Sequence, residues 1–150
     1  MTENLAREEI CRIGKSLFQR RYVHATAGNI SVRLDDGFLI TPSDACLGFL
    51  DPAGLARLDA QGRQLSGEKP SKTVALHSPI IRYAADGIAL RAVMLERLGP
   101  NVWHETPAGA MAALEELEET ARLLMCSKEP PVPLDAHQLD ELRRQFGAAW

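Results

Sequence analysis

The chain has 150 residues, of which 45% are hydrophobic and 25% are charged, and its formal net charge is -3. This composition is typical of a single globular domain that buries about 68–70% of its unfolded surface, and it excludes a disordered or fibrous chain. The negative net charge provides no basic field, so we expect neither nucleic acid nor a membrane as a partner.

The cysteines favour an intracellular location. Cys11, Cys46 and Cys126 are far apart and form no Cys-x-x-Cys pair. This favours reduced thiols in a cytoplasm over a disulfide framework or a thiolate metal site. The first residues lack the apolar core of a signal peptide, and no stretch reaches transmembrane length. We therefore expect a cytoplasmic protein.

The N-terminal half is predicted to form a helix and two hairpins. A helix over residues 3–20 carries an apolar stripe of Ala6, Ile10, Ile13 and Leu17. The alternation over residues 30–34 predicts a strand, and a turn at residues 35–37 leads to a return strand over 38–41. Asp51-Pro52 predicts a short helix, and Gln61-Gly62 a second hairpin turn.

The C-terminal half is predicted to be mainly helical. Ser71 is expected to cap a helix that has Val74, His77 and Ile81 on one side. Residues 88–95 predict a strand buried on both faces, broken at Gly99-Pro100 and resuming at residues 102–103. Thr106-Pro107 begins a helix that ends near Cys126, and a Pro-rich connector over 128–134 precedes a last helix. The expected cap and buried residues of that helix are Asp135, Leu139, Leu142 and Phe146.

This order of elements favours one α/β domain over residues 1–150, with a mixed, largely antiparallel sheet between helices. Neither a Gly-x-Gly-x-x-Gly nor a Walker sequence is present. A nucleotide-binding Rossmann or P-loop domain is therefore not indicated.

Three polar turns stand where strands end or helices begin: Gly28-Asn29, Thr41-Pro42-Ser43 and Lys69-Pro70-Ser71-Lys72. Backbone N–H groups and short hydroxyls in such turns form compact anion cradles. Ordinary turn chemistry would explain each turn alone. Together they predict a phosphate site.

These turns, with Leu98-Gly99-Pro100 and the segment Glu115-Glu116-Leu117-Glu118, resemble the class II aldolase/adducin family. The segments at residues 44–48 and 117–121 are most similar to its 3-oxo-tetronate 4-phosphate decarboxylase branch. The resemblance implies a three-layer α/β/α sandwich, a tetramer with active sites between subunits, and a divalent metal, usually Zn²⁺. In such chemistry the metal stabilises the enediolate left when a carbon–carbon bond of a phosphorylated sugar acid or keto sugar breaks.

The resemblance assigns phosphate binding to six residues of the turns: Gly28, Asn29, Thr41, Ser43, Ser71 and Lys72. The metal centre departs from the family pattern. Thr73 stands where the family has its acid/base residue, and a hydroxyl cannot replace a carboxylate there. Leu98 stands in place of the third histidine ligand, and its side chain offers no lone pair.

The histidine pair expected after the helix of His77 is missing, since residue 87 matches the end of that helix and residue 88 a much later strand. We therefore expect an internal shortening between 87 and 88. His77 is the remaining candidate ligand, although a packed or capping role is favoured.

Two functions remain open. The first is a class II aldolase-like lyase acting on a phosphorylated sugar acid or keto sugar, and the second is a noncatalytic binding or assembly module that keeps the scaffold and the phosphate pocket. An incomplete copy of a longer chain is a third possibility. In each case we expect a homo-oligomer, because removing central strands leaves sheet edges and helix faces uncovered.

Other polar residues are expected to be solvent-exposed or structural. They are His24 beside the first turn, His104 and His137 near helix starts, and the glutamates between 115 and 119, of which Glu118 is expected to pair with Arg122. Trp103 and Trp150 are expected to serve packing or subunit contact.

Overall fold

The computed structural model describes residues 1–77, 91–129 and 131–147. Four sequence predictions lie wholly or partly outside these residues: the packing of Ile81, the internal join between 87 and 88, the first three residues of the strand predicted over 88–95, and the role of Trp150.

Helix α1 (Glu3–Gln19) begins at the N-cap Thr2, whose hydroxyl accepts from the backbone of Leu5. A capping hydroxyl satisfies one of the backbone donors that the first turn leaves unpaired. The predicted apolar stripe is confirmed, since Ala6, Ile10, Ile13 and Leu17 are all buried. This face packs α1 onto the sheet and the loop that follows it.

Four strands follow in chain order as an antiparallel sheet: β1 (Ser31–Leu34), β2 (Gly37–Ile40), β3 (Ala56–Asp59) and β4 (Gln64–Ser66). The turn between β1 and β2 sets the register, in which Ser31 lies opposite Ile40 and Leu34 opposite Gly37. Both predicted hairpins are therefore confirmed. The short helix predicted at Pro52 is a single 3-10 turn, Pro52–Gly54, capped by the side chain of Asp51.

Strand β2 is buried along its whole length and separates two apolar clusters. On one face Leu39 packs with Val32, Leu55 and the buried side of α1. On the other face Phe38 and Ile40 pack with residues of β3, and Val74 covers them. Val74 belongs to a helical turn at residues 74–77, as predicted from the Ser71 cap. The sheet thus has helical structure on both sides, which confirms the α/β class.

Residues 91–102 form a separate two-stranded hairpin, β5 (Ala92–Leu95) and β6 (Gly99–Val102). The predicted break at Gly99-Pro100 is wrong: the chain turns at residues 96–98, and Pro100 pairs with Met94 inside the hairpin. Burial on both faces is also wrong, since Val93 and Met94 are exposed. Among the described residues, β6 is the only strand paired with β5.

Helix α2 (Pro107–Cys126) begins at the Thr106 N-cap, and α3 (Ala136–Phe146) begins with a capping box between Asp135 and Gln138. The bounds of both helices confirm the sequence prediction. Their burial does not: Leu124 and Phe146 are exposed, and no described residue of either helix is fully buried. Of these two helices, only the start of α2 packs onto the described core, through Met111 and Leu114.

None of the helices in the described part of the chain has the length and apolar content that crossing a bilayer requires.

Candidate functional site

The three polar turns meet at one end of the four-stranded sheet. The backbone N–H of Thr41 donates to the carbonyl of Ile30 at 3.0 Å, and the N–H of Ser71 donates to the carbonyl of Thr41 at 3.1 Å. The N–H of Ser43 donates to the carbonyl of Lys69 at 2.8 Å, beside a bridge between Pro42 and Pro70. The backbone therefore brings together three turns that are far apart in sequence. We call this group of turns the cradle.

Thr41 lies beneath the cradle surface. It is 1% exposed, and its hydroxyl accepts from the N–H of Ile30 at 3.2 Å. This bond joins the first turn to the second. Its assignment as a phosphate ligand stays a prediction, and the structure gives Thr41 a structural bond in addition.

The accessible hydroxyl and charged groups of the cradle come from the second and third turns. The Lys72 ammonium lies 3.5 Å from a carboxylate oxygen of Asp44, and both side chains are exposed. The Ser43 hydroxyl lies 3.4 Å from the same carboxylate. Because exposed ion pairs contribute only about 0–1 kcal/mol, an anion can displace Asp44 from Lys72 at little cost. Asp44 was not identified from the sequence as a neighbour of Lys72 in the cradle. The only sequence signal for it is its position directly after Ser43.

Gly28 gives the first turn its shape. Its φ is +87°, a conformation that L side chains rarely adopt. A Cβ atom at this position would lie 2.8 Å from Cγ1 of Val23 and 3.1 Å from Cδ1 of Leu47. Glycine is therefore required here by both backbone conformation and space.

His77 lies behind the first turn and contacts the side chains of Asn29 in that turn and of Ser31 at the start of β1. Its Nδ1 lies 2.7 Å from the Ser31 hydroxyl, and its Nε2 is hydrogen-bonded to Oδ1 of Asn29. The side chain is buried, and this burial lowers the pKa of His77 to about 4. His77 is therefore neutral at neutral pH, with both ring nitrogens engaged by the protein. The expected packed role of His77 agrees with this geometry.

The buried histidine predicts an acid-sensitive fold. In the unfolded chain the His77 imidazole gains a proton near pH 6.5, whereas in the folded protein its pKa is about 4. Between these values the unfolded state binds more protons, so we expect the free energy of unfolding to fall by about 3 kcal/mol as the pH drops through this window. Urea titrations across the window should show this slope.

The matched control for the pH dependence is His77→Phe, which removes the titrating group. Its free energy of unfolding should change less over the same window, because only other groups then titrate. Equal slopes for the two proteins would show that His77 is not held neutral by the fold.

The described residues do not fit a metal site. The Thr73 hydroxyl, at the predicted acid/base position, is 2.9 Å from the Ser71 hydroxyl. Leu98 is 78% exposed in the β5–β6 turn. Within residues 1–77, 91–129 and 131–147, no group of three or more His, Cys, Asp or Glu side chains is arranged to hold a metal ion.

The remaining polar candidates lie away from the cradle or on the surface. His24 is exposed in the loop before Gly28, and His137 is exposed beside Glu141. Arg122 pairs with Glu119 and not with Glu118, so that expected pairing is wrong; a rotamer that reaches back three residues places the guanidinium on Glu119 at 2.8 Å. Glu115 pairs instead with Arg20 of α1.

Polar turns gathered at one end of an α/β sheet form a scaffold that can hold an anion, and the relatives specify the family. Residues 8–90 match the class II aldolase and adducin N-terminal domain. The chain is 39% identical to the 3-oxo-tetronate 4-phosphate decarboxylase of Cupriavidus necator, with 99% of each chain covered. The chain therefore belongs to the class II aldolase and adducin family, whose members act on phosphorylated sugars and typically use a divalent metal.

Two further comparisons agree. The 3-oxo-tetronate 4-phosphate decarboxylase of Escherichia coli K12 is 49% identical over 81 residues, which are 53% of this chain and 38% of that enzyme. The crystal structure of YgbL from Klebsiella pneumoniae superposes with a TM-score of 0.86 at 29% identity, covering 95% of this chain and 100% of that one. The fold is therefore that of the class II aldolases.

The alignment with the Cupriavidus enzyme spans 215 positions, although the present chain has 150 residues. At least 65 positions of that alignment therefore face no residue of this chain.

Proposed function

We propose that this chain is a class II aldolase-like lyase that acts on a phosphorylated sugar acid, with the phosphate held in the cradle. The observation that carries the proposal is the backbone hydrogen bonding that gathers the turns at residues 28, 41 and 71. The substrate class comes from the relatives, of which the Cupriavidus enzyme is aligned along nearly its whole length.

In this proposal six residues of the turns bind the phosphate: Gly28, Asn29, Thr41, Ser43, Ser71 and Lys72. The Thr41 hydroxyl also holds the first turn to the second. Lys72 supplies the cation, and the short side chains supply neutral donors. A phosphate held in this way fixes one end of the substrate and leaves its carboxylate end to be positioned by other groups.

A second candidate function is a noncatalytic binding or assembly module. Thr73 and Leu98 favour it, because neither side chain can perform the role that the family gives to its position. Zinc as the cofactor is proposed from the family alone. Elemental analysis of the purified protein for zinc, manganese and cobalt tests that part separately.

The two functions are distinguished by carbon dioxide release from 3-oxo-tetronate 4-phosphate, measured with added Zn²⁺, Mn²⁺ or Co²⁺. The lyase hypothesis predicts release above the spontaneous rate of the free keto acid, with a dependence on the metal and a loss in Asn29→Ala. Release at the spontaneous rate by a protein that still binds the substrate would establish the binding module instead.

We also propose that the 150 residues form one shortened domain, joined between 87 and 88, and that it assembles as a cytoplasmic homo-oligomer, a tetramer by family resemblance. The excess length of the Cupriavidus alignment supports the shortening. Exposed apolar side chains on α2, α3 and the β5–β6 hairpin support the assembly, among them Met125, Phe146 and Leu98. Light scattering tests the oligomeric state, and the intact mass of the chain tests the shortening.

A further inference from the structure

The contacts of His77 extend to the proposed phosphate site itself. Asn29 and Ser31 are separated by one residue, so both side chains leave the chain on the same side. His77 meets both of them from a position 46 and 48 residues further along the chain. The backbone of Ile30, between them, is fixed to Thr41 by two hydrogen bonds.

We propose that His77 is a positioning residue, which as the neutral Nε2–H tautomer holds Oδ1 of Asn29 and turns the amide nitrogen of Asn29 toward the bound anion. The inference rests on the proposed phosphate site. It assigns to His77 a role different from metal ligation.

The hydrogen-bond chemistry determines the direction of the network. Oδ1 of Asn29 is only an acceptor, so Nε2 of His77 must carry the proton and donate. Burial keeps the ring neutral because desolvation disfavours the charged form, in which both ring nitrogens would donate. In the neutral ring Nδ1 then has a lone pair and accepts from the Ser31 hydroxyl at 2.7 Å.

The group of Asn29 that is left to bind the anion is the amide nitrogen, Nδ2. With Oδ1 engaged by His77, the two N–H donors of Nδ2 stay available for an anion, because they make no hydrogen bond to another described residue. Asn29 is only partly buried, directly after the exposed residues 24–28. The opposite tautomer would present Oδ1 to the cradle, where an oxygen atom repels phosphate.

The tautomer can be observed directly in the whole protein labelled with ¹⁵N-histidine. The nitrogen chemical shifts of His77 at neutral pH should show a protonated Nε2 and an unprotonated Nδ1. A protonated Nδ1 with a bare Nε2, or a charged ring, would overturn the inference. This readout needs no ligand.

The functional consequence is measured with inorganic phosphate as the probe, by ³¹P titration or calorimetry. Asn29→Ala and His77→Phe should each weaken binding roughly tenfold, and the double variant little more than either alone, because both changes remove one oriented donor. His77→Gln should restore much of the affinity, since its side-chain amide donates to Oδ1 of Asn29. The matched control His137→Gln changes an exposed histidine of α3 and should leave the affinity unchanged.

Melting temperatures show whether a variant loses phosphate affinity because Asn29 is wrongly oriented or because the protein is less stably folded. His77→Gln and His77→Phe should both be less stable than the parent, but only His77→Phe should lose phosphate affinity in its folded fraction. Unchanged affinity in folded His77→Phe rejects the inference alone. Failure of the parent protein to bind phosphate rejects the proposed phosphate site and with it this role of His77, whatever tautomer the ring nitrogens report.

Discussion

Replacing Gly28 with Ala is expected to destabilise the protein by about 2–4 kcal/mol and to weaken phosphate binding about tenfold or more. The backbone conformation with positive φ costs about 1 kcal/mol or more for a residue with a Cβ atom. The new methyl group adds a clash of about 1–3 kcal/mol with Val23 and the buried Leu47. Relief of that clash must move the turn that carries Asn29, and the donors of the cradle move with it.

Gly62→Ala is the matched control for this effect. Gly62 has a φ of +82°, nearly that of Gly28, and no atom lies within 4 Å of the added methyl group. The Gly62→Ala variant should have a free energy of unfolding about 1 kcal/mol below that of the parent protein, and the same phosphate affinity. Urea denaturation and phosphate titration of both variants measure the difference, and equal losses would mean that crowding at residue 28 has no role in shaping the site.

Leu39→Ala is expected to lower the free energy of unfolding by about 2–5 kcal/mol, which for a domain of this size is a large part of the total. Leu39 is 0% exposed on the central strand β2 and packs between α1 and Val32. The loss has two causes. The removed methyl groups no longer make apolar contacts, and the strand cannot move to fill the cavity that they leave.

The control for Leu39 is Leu65→Ala on strand β4, where the side chain is 60% exposed. Its effect should stay within about 0.5 kcal/mol. A small effect at Leu39 would show that the first cluster is not the principal core of the domain. Because β2 leads directly into Thr41, Leu39→Ala should reduce phosphate binding only in proportion to the unfolded fraction.

The exposed apolar side chains of α2 and α3 bear on how the domain exists in solution. Their sequence pattern is that of helices with a buried stripe, yet no described residue of either helix is fully buried. Met125 is 86% exposed, although it belongs to the apolar end of α2. Covering such surface is the physical reason for expecting an oligomer.

The local elements were determined by the sequence itself. The stripe of α1, the caps Thr106 and Asp135 and the glycine turns of both hairpins are short-range features, because each depends on residues a few positions apart. The resemblance to the class II aldolase family was likewise present in the order of the three polar turns, and the family comparisons confirm it.

Only the tertiary structure decided which polar groups of the cradle face solvent. Thr41 and Asn29 look alike in sequence as short polar turn residues, but Thr41 is buried under the cradle and Asn29 is held by a histidine 48 residues away. The sequence also did not predict that Val93, Leu124 and Phe146 are exposed. Burial depends on whether residues that are distant in sequence pack against these side chains. Local pattern specifies an element and its apolar side, whereas long-range packing determines whether that side is covered and which donors reach a ligand.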